Sequence, residues 1–475
     1  MSRFLGLEIS ETPAIVDSAG RGNLSFRELI REGRELAGRL GSSRQLLFIT
    51  AANDVFSAVM YVGAVGRGHA VAMLDSRGSP PIIAELAEAY RPTWIAGPPG
   101  LASRLAESLV EIESASSIDG GELLRTAFRR PPDLHPDLAL LLTTSGTTGS
   151  RKFVRLSARN LEANASSIAR CLELTPEDRP ITSLPIHYSF GLSVLNSHWL
   201  VGAPVVLSDE SVLTRSFWDT FEAQRCTSLA GVPYTYQMLE RLGFRDMELP
   251  SLRSLQQAGG ALDRRLTELY AAHMAARGGR FYVMYGQTEA TARMSFVPPS
   301  RLADKIGSAG LAIPDGRLSI DTGASGAAAA GSVGEVVYEG PNVMLGYATG
   351  SDSLADPDAL EGVLRTGDLG YIDDEGFLFL VGRSRRIAKV FGRRINLDEV
   401  EVMAREGGPA AVVGAPDAIW VFCAFGTPDT IAEFGGLLAQ RLKLHHTAVR
   451  ARHVGAIPTH PSGKIDYERV GQWVP

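Results

Sequence analysis

Between Ser25 and Ala96 the chain alternates helix and strand signals, and that alternation constrains the fold more than any single motif. Ser25-Phe26-Arg27-Glu28 forms a capping box, in which the serine and glutamate side chains satisfy each other's backbone N–H groups. It opens an amphipathic helix running to about Leu40. Gln45–Thr50 follows as a buried strand, Ser57–Val65 as a helix, Ala70–Leu74 as a strand, Pro81–Tyr90 as a helix and Thr93–Ala96 as a strand. Strands that are apolar on both faces need cover on both, and the intervening helices supply it, so a parallel sheet layered with helices is expected. A similar rhythm returns from Leu138 to about Tyr282.

From Gly334 the pattern changes. Gly334–Gly340 and Gly370–Val381 suggest short antiparallel strands, with Asp374-Glu375-Gly376 as one turn, and the Gly/Ala run Gly323–Gly331 is a loop. Strands at Ala410–Val413 and Ile419–Phe425 and a helix at Ile431–Leu442 fit a compact α+β lid. A chain of 475 residues also exceeds one ordinary core. The expected class is therefore α/β: a large N-terminal domain, residues 1–384, and a small α+β C-terminal lid domain, residues 385–475. The boundary is placed in the basic stretch Arg383–Arg394, where sheet patterning ends before resuming.

Four motifs carry chemistry. Thr143-Thr144-Ser145-Gly146-Thr147-Thr148-Gly149-Ser150-Arg151-Lys152 follows the strand-like Leu138–Leu142. Its glycines admit an anion close to backbone N–H groups, while its hydroxyls and lysine add donors, a composition suited to polyphosphate. It is not a P-loop, because Ser150 and Arg151 separate Gly149 from Lys152. Tyr285-Gly286-Gln287-Thr288-Glu289 follows the strand-like Arg280–Met284 and offers an aromatic face for a base, a hydroxyl donor for phosphate and a hard oxygen ligand for Mg²⁺. Arg365-Thr366-Gly367-Asp368, with Gly382-Arg383, places a carboxylate on a tight turn able to accept from ribose hydroxyls. Pro461-Ser462-Gly463-Lys464 presents one ammonium on an exposed turn. Taken singly, each motif also reads as an ordinary turn or a solvated charge.

In order and combination these motifs resemble the ANL superfamily of adenylate-forming enzymes, which comprises acyl-CoA synthetases, adenylation domains of nonribosomal peptide synthetases and luciferases. The resemblance extends to Gly259-Gly260-Ala261 and Gly340-Pro341-Asn342-Val343-Met344-Leu345-Gly346-Tyr347 and covers nearly the whole chain. It implies a distorted β-barrel beside the helix-covered sheets, and ATP and Mg²⁺ as cofactors. Thr144, Ser145, Gly146, Thr147, Thr148, Gly149 and Lys152 would hold the ATP phosphates, with Arg151 standing where the family usually has proline. Gly259, Gly260, Ala261 and Tyr285 would hold adenine, and Asp368 and Arg383 the ribose. Thr288 would contact the α-phosphate, Glu289 would bind Mg²⁺, and Lys464 would bridge the attacking carboxylate and the α-phosphate. Arg385 occupies the hinge position, where Asp or Lys is usual. Around it Arg386, Lys389, Arg393 and Arg394 form a basic set that either meets CoA phosphates or is solvated.

Leu184–Gly191 resembles the family's acid-binding motif, so Tyr188, Ser189 and Gly286 would line the acid pocket. Many acyl-CoA synthetases have histidine at the gate; here it is Tyr188, preceded by His187. Amino-acid-activating relatives carry aspartate where this chain has Ser189, and burying an ammonium without a partner costs several kcal/mol. The expected substrate is thus a carboxylic acid other than an α-amino acid. None of the nine histidines is needed as a base, because a carboxylate is already ionised at neutral pH. The expected acceptor is CoA, with a separate carrier-protein phosphopantetheine or an amine as the alternative, since the chain ends at Pro475 with no carrier domain apparent after Lys464.

A net charge of −6 gives no reason to expect nucleic acid, and no apolar run reaches membrane-spanning length. Three widely spaced cysteines, Cys171, Cys226 and Cys423, and an N-terminus without a signal-peptide core suit a cytoplasmic protein. Two other classes bind ATP: a phosphotransferase, which would release ADP, and a degenerate sensor, against which Glu289 and Lys464 both argue.

Overall fold

The computed structural model describes residues 4–18, 22–106, 110–118, 120–143, 152–323, 328–383, 386–390, 393–416, 418–459 and 465–474. The chain divides into two compact units, one made of Met1–Thr144, Arg151–Arg317 and Glu339–Leu364, the other including Leu318–Tyr338 and Arg365–Pro475. The architecture is α/β, as expected.

Among the described residues the first unit holds two large sheets. One has eight strands in the order Gly346–Ala348, Phe153–Ser157, Leu138–Thr143, Ala70–Asp75, Leu46–Ala51, Trp94–Gly97, Gly121–Thr126 and Ile112–Ile118. The other has nine: Leu311–Ala312, Ser295–Val297, Arg280–Tyr285, Ser254–Gln257, Ser228–Gly231, Pro180–Ile181, Val205–Leu207, Pro13–Asp17 and Leu24–Ser25. Every residue of Leu46–Ala51 is buried, which follows from its two faces. Leu47 and Ile49 join a core with the helix Val55–Gly66 and with Ile15, Val205 and Leu207 of the second sheet. Leu46 and Phe48 face the other way, onto Ile83, Leu86 and Tyr90 of the helix Pro80–Tyr90. Each such side chain contributes roughly 1.5–3 kcal/mol by burial.

The helices Phe26–Gly38, Val55–Gly66, Ala158–Leu172 and Ser189–Leu200 fill the layer shared by both sheets. The capping box at Ser25 forms as expected, with both reciprocal bonds present. The first two of these helices cross with glycine against glycine. A β-carbon on Gly63 would overlap the Gly33 carbonyl, and one on Gly33 would fall 3.0 Å from the Gly63 Cα. Gly63→Ala is therefore expected to destabilise this unit by about 1–3 kcal/mol through overpacking. Urea denaturation measures it, and an unchanged midpoint would show that the helices separate freely.

The second unit carries a four-stranded sheet ordered Arg317–Asp321, Gly334–Glu339, Val363–Ile372 and Leu378–Arg383, where the resemblance implied a distorted barrel. The Asp374-Glu375-Gly376 turn forms, with the Asp373 carboxylate accepting from the N–H groups of Glu375 (3.0 Å) and Phe377 (2.8 Å). Further on, Ala410–Ala415, Ala418–Cys423 and Val449–His453 make a three-stranded sheet. It packs with the helices Leu397–Arg405 and Pro428–Arg441 around Val400, Val412, Ile419, Val421, Ile431 and Leu438. The basic stretch differs from expectation. Sheet structure does not lapse there, because Ile387–Val390 pairs antiparallel with Arg393–Asn396. Ala388 and Val390 supply a buried face at period two, an alternation that the intervening charges obscure in the sequence.

Candidate active site

In the nine-stranded sheet Pro180–Ile181, Ser228–Gly231, Ser254–Gln257 and Arg280–Tyr285 run parallel. Three candidate segments leave at their carboxyl ends: Leu184–Ser189, Gly259–Ala261 and Gly286–Glu289. Open parallel sheets collect ligands at that edge because the loops, and not the strands, are free to shape a crevice there.

The segment Leu184–Ser189 is pinned from the other sheet. The Asn53 side chain accepts from Ile186 N (3.0 Å) and donates to the Leu184 carbonyl (3.3 Å) and the Ser208 carbonyl (3.1 Å). Tyr188 then stands at the N-cap position of the helix Ser189–Leu200 with no side-chain cap bond, an end whose partial positive charge suits a carboxylate. Burial pushes the Tyr188 phenol up to about 12, so it stays protonated at neutral pH. Its hydroxyl lies beside Gly259, where a β-carbon would fall 2.9 Å from the oxygen, and Gly259 has φ +83°. Any side chain there would be both strained and crowded. Buried Ser189 Oγ lies 3.1 Å from Thr288 Oγ1, joining the segment Leu184–Ser189 to the Thr-Glu motif. Burial pushes His187 below its ordinary range, which favours neutral imidazole.

Thr288–Ala290 is a 3₁₀ turn, and Thr291 after it has φ 67°, ψ −56°. With Ala292 N–H donating to the Ala290 carbonyl (2.7 Å), this is a γ-turn, a conformation a β-branched residue enters at a cost of about 1–3 kcal/mol. Asn342 holds it. The Asn342 amide donates to the Ala290 carbonyl (2.8 Å), and Thr291 Oγ1 donates to the Asn342 carbonyl (2.7 Å). Met344 N–H donates to the Glu289 carbonyl (2.9 Å). Gly286 owes its identity to backbone packing, since a β-carbon would strike the Ala292 carbonyl.

Glu289 Oε1 accepts a hydrogen bond from Tyr347 Oη at 2.7 Å, and Lys152 Nζ lies 3.9 Å above the Tyr347 ring. The carboxylate is partly exposed and its neighbour Thr288 adds a hydroxyl, both hard oxygen donors. Among the described residues no three His, Cys, Asp or Glu side chains group to hold a metal. One partly exposed carboxylate nevertheless fits Mg²⁺, which is commonly held by one or two carboxylates and substrate phosphates.

Asp368 and Arg383 meet directly, Arg383 Nε donating to Asp368 Oδ1 at 3.0 Å across paired strands. Asp368 lies within the ten-residue strand Val363–Ile372 and not on a tight turn; Gly367, at φ +73°, supplies the irregularity that resembles a turn in the sequence. Tyr188, Ser189, Gly259, Gly260, Ala261, Tyr285, Gly286, Thr288, Glu289 and Lys152 all belong to the first unit, Asp368 and Arg383 to the second. Thr144, Ser145, Gly146, Thr147, Thr148, Gly149, Arg151, Arg385 and Lys464 lie outside the described residues, as do the side chains of Lys389, Arg393 and Arg394. Arg386 is described: it stacks 3.8 Å over Tyr467 and pairs with Asp398 and Glu401. Within the second unit it therefore ties the hairpin to the segment just after Lys464. This structural use differs from the expectation of a solvated charge.

Asn53, Arg293, Asn342 and Tyr347 were not singled out by the motifs. Arg293, 1% exposed, packs its guanidinium 4.8 Å from the Phe190 ring and donates to Gln256 Oε1 at 3.0 Å, and burial pushes it down to about 9. Its signal was a lone charge in the uncharged run Ala290–Val297; Asn342 and Tyr347 stood in a landmark whose purpose is now visible.

The profile of the family described as AMP-binding enzyme matches residues 10–348. The chain is 31% identical to the sulfoacetate–CoA ligase of Cupriavidus necator over 392 residues, 78% of this chain and 76% of that protein. It is 30% identical to the feruloyl-CoA synthase of an Amycolatopsis species over 393 residues, 77% of each. Its fold resembles that of O-succinylbenzoate coenzyme A synthetase from Bacillus subtilis, solved with ATP and magnesium, with a TM-score of 0.76 and 23% identity over 97% of each chain. The motif order, the site built at the strand ends and these likenesses agree: the chain belongs to the AMP-binding enzyme family and is an adenylate-forming enzyme of the ANL superfamily.

Proposed function

We propose that this enzyme joins a carboxylic acid other than an α-amino acid to CoA in two steps. In the first, a carboxylate oxygen attacks the α-phosphorus of ATP, giving an acyl-adenylate and releasing pyrophosphate. In the second, the CoA thiol attacks the acyl carbon and AMP leaves. The observation that carries the reading is the 3.1 Å approach of Ser189 to Thr288, which brings the acid segment and the α-phosphate candidate to one place. Ser189 offers no carboxylate to an α-ammonium, which supports excluding α-amino acids. An acid–CoA ligase of the AMP-forming type agrees with the CoA ligases among its relatives.

On this reading Tyr188 and Ser189 orient the acid, Thr288 donates to the α-phosphate, and Lys152 with Thr144–Gly149 holds the outer phosphates. Gly259–Ala261 and Tyr285 hold adenine, and Asp368 with Arg383 holds the ribose. Lys464 neutralises the two approaching anions, so no general base is required. Mg²⁺, bound with ATP at Glu289, would supply charge neutralisation at the phosphates. The proposal includes a lid of residues 385–475 turning about Arg385, and a cytoplasmic location, with which the buried free thiols Cys171, Cys226 and Cys423 agree. No helix among the described residues is long and apolar enough to cross a membrane.

The test is pyrophosphate and AMP release across aryl, short and long aliphatic, and amino acids, with and without CoA. Acid-dependent pyrophosphate, AMP appearing with CoA and silence from amino acids are expected. ADP as product would favour phosphoryl transfer. Thioester on an added carrier protein with none on CoA would move the acceptor.

A further inference from the structure

Tyr347 engages Glu289 and Lys152 through two different parts of one side chain. Its strand, Gly346–Ala348, pairs antiparallel with Phe153–Ser157, Tyr347 standing opposite Val154. Lys152 lies two residues before Val154, and side chains alternate along a strand, so the lysine reaches the tyrosine's ring from the neighbouring same-face position. The pairing is rigidly held. Arg155, 1% exposed, donates to the Leu345 carbonyl (3.1 Å) and the Pro357 carbonyl (3.1 Å), and Leu345 N–H returns a bond to the Arg155 carbonyl (2.9 Å). Gly346 at φ +129° passes close to that guanidinium, where a β-carbon would fall 3.1 Å from Arg155 Nη2. From the other side Asn342 and Met344 fix the backbone around Glu289. Both partners thus meet a side chain presented by a fixed strand.

We propose that Tyr347 is a positioning residue of the nucleotide–metal site. Its hydroxyl orients the Glu289 carboxylate for Mg²⁺, and its ring face stores the Lys152 ammonium in the position from which it meets an ATP phosphate. An ammonium resting on a ring face keeps N–H donors free, so it can meet a phosphate without leaving the ring. The inference rests on the reading of Glu289 as metal ligand and Lys152 as phosphate ligand, and its test separates the two.

Calorimetric ATP binding is measured in EDTA and across a Mg²⁺ titration for wild type, Tyr347→Phe, Tyr347→Leu and Glu289→Gln, with circular dichroism checking the fold. Tyr347→Phe keeps the ring and loses the hydroxyl. It should raise the half-maximal Mg²⁺ concentration about three- to tenfold, the scale of one hydrogen bond to a charged group on a half-exposed site, with metal-free ATP affinity unchanged. Tyr347→Leu should in addition weaken metal-free ATP binding about two- to fivefold. If Glu289→Gln leaves the Mg²⁺ midpoint in place, the metal-ligand reading fails. If Glu289→Gln moves it while Tyr347→Phe leaves it unchanged or lowers it, the orienting role fails. Metal-free affinity equal to or tighter than wild type in folded Tyr347→Leu overturns the lysine-storing role.

Discussion

Lys464→Ala is expected to slow acyl-adenylate formation by about two to three orders of magnitude. The reaction drives a carboxylate onto a phosphate, and two unit charges of like sign 4 Å apart repel by about 4 kcal/mol at the effective dielectric of a protein surface. A rate loss of that size corresponds to about 2.7–4 kcal/mol, so one well-placed ammonium accounts for it. Single-turnover pyrophosphate release measures the step. Thioester formation from synthetic acyl-adenylate and CoA should survive, because the anhydride is already made and the attacking thiol meets a neutral acyl carbon. Equal loss in both assays would show that Lys464 supports the fold or both steps alike.

Glu401→Gln should loosen the second unit by about 3 kcal/mol, the low end of the range for removing the charge of a buried ion-pair partner. The Glu401 side chain is 5% exposed and accepts from Arg386 (2.9 Å), Arg405 (2.6 Å), Tyr467 Oη (2.6 Å) and Val412 N–H (3.0 Å). Burial first, then the Glu401 charge, push the Tyr467 phenol well above its ordinary range, so its proton stays in the bond at any neutral pH. The glutamine would keep the shape and lose the charge that Arg386 and Arg405 share. Amide exchange in Ala410–Ala415 and Ala418–Cys423 should accelerate about a hundredfold or more, while Leu46–Ala51 keeps its protection. Unchanged exchange in the second unit would mean that the arginines find water or other partners at no cost.

What the sequence made legible follows the strength of its local signals. The capping box at Ser25, the largely apolar strands Leu46–Ala51 and Leu138–Thr143 and the Asp374-Glu375-Gly376 turn were readable because neighbouring residues along the chain decide them. The hairpin at Ile387–Asn396 was hidden because its buried positions, Ala388 and Val390, are interleaved with charges. Asp368 read as a turn residue because Gly367 mimics one, although strand pairing with Arg383 governs the position. The contacts of the site's supports were not legible. Asn53 meets Leu184 across more than a hundred residues, and Tyr347 meets Glu289 across 58, so only tertiary packing brings them together.

The central claim, a carboxylate oxygen joining the α-phosphorus, is tested most directly by isotope transfer. An acid labelled with ¹⁸O in its carboxylate is turned over with ATP, Mg²⁺ and CoA, and the products are read by mass spectrometry. One labelled oxygen should appear in AMP, because thiol attack at the acyl carbon leaves the bridging oxygen on phosphorus. Label in inorganic phosphate alongside ADP, or AMP carrying none, would contradict the account.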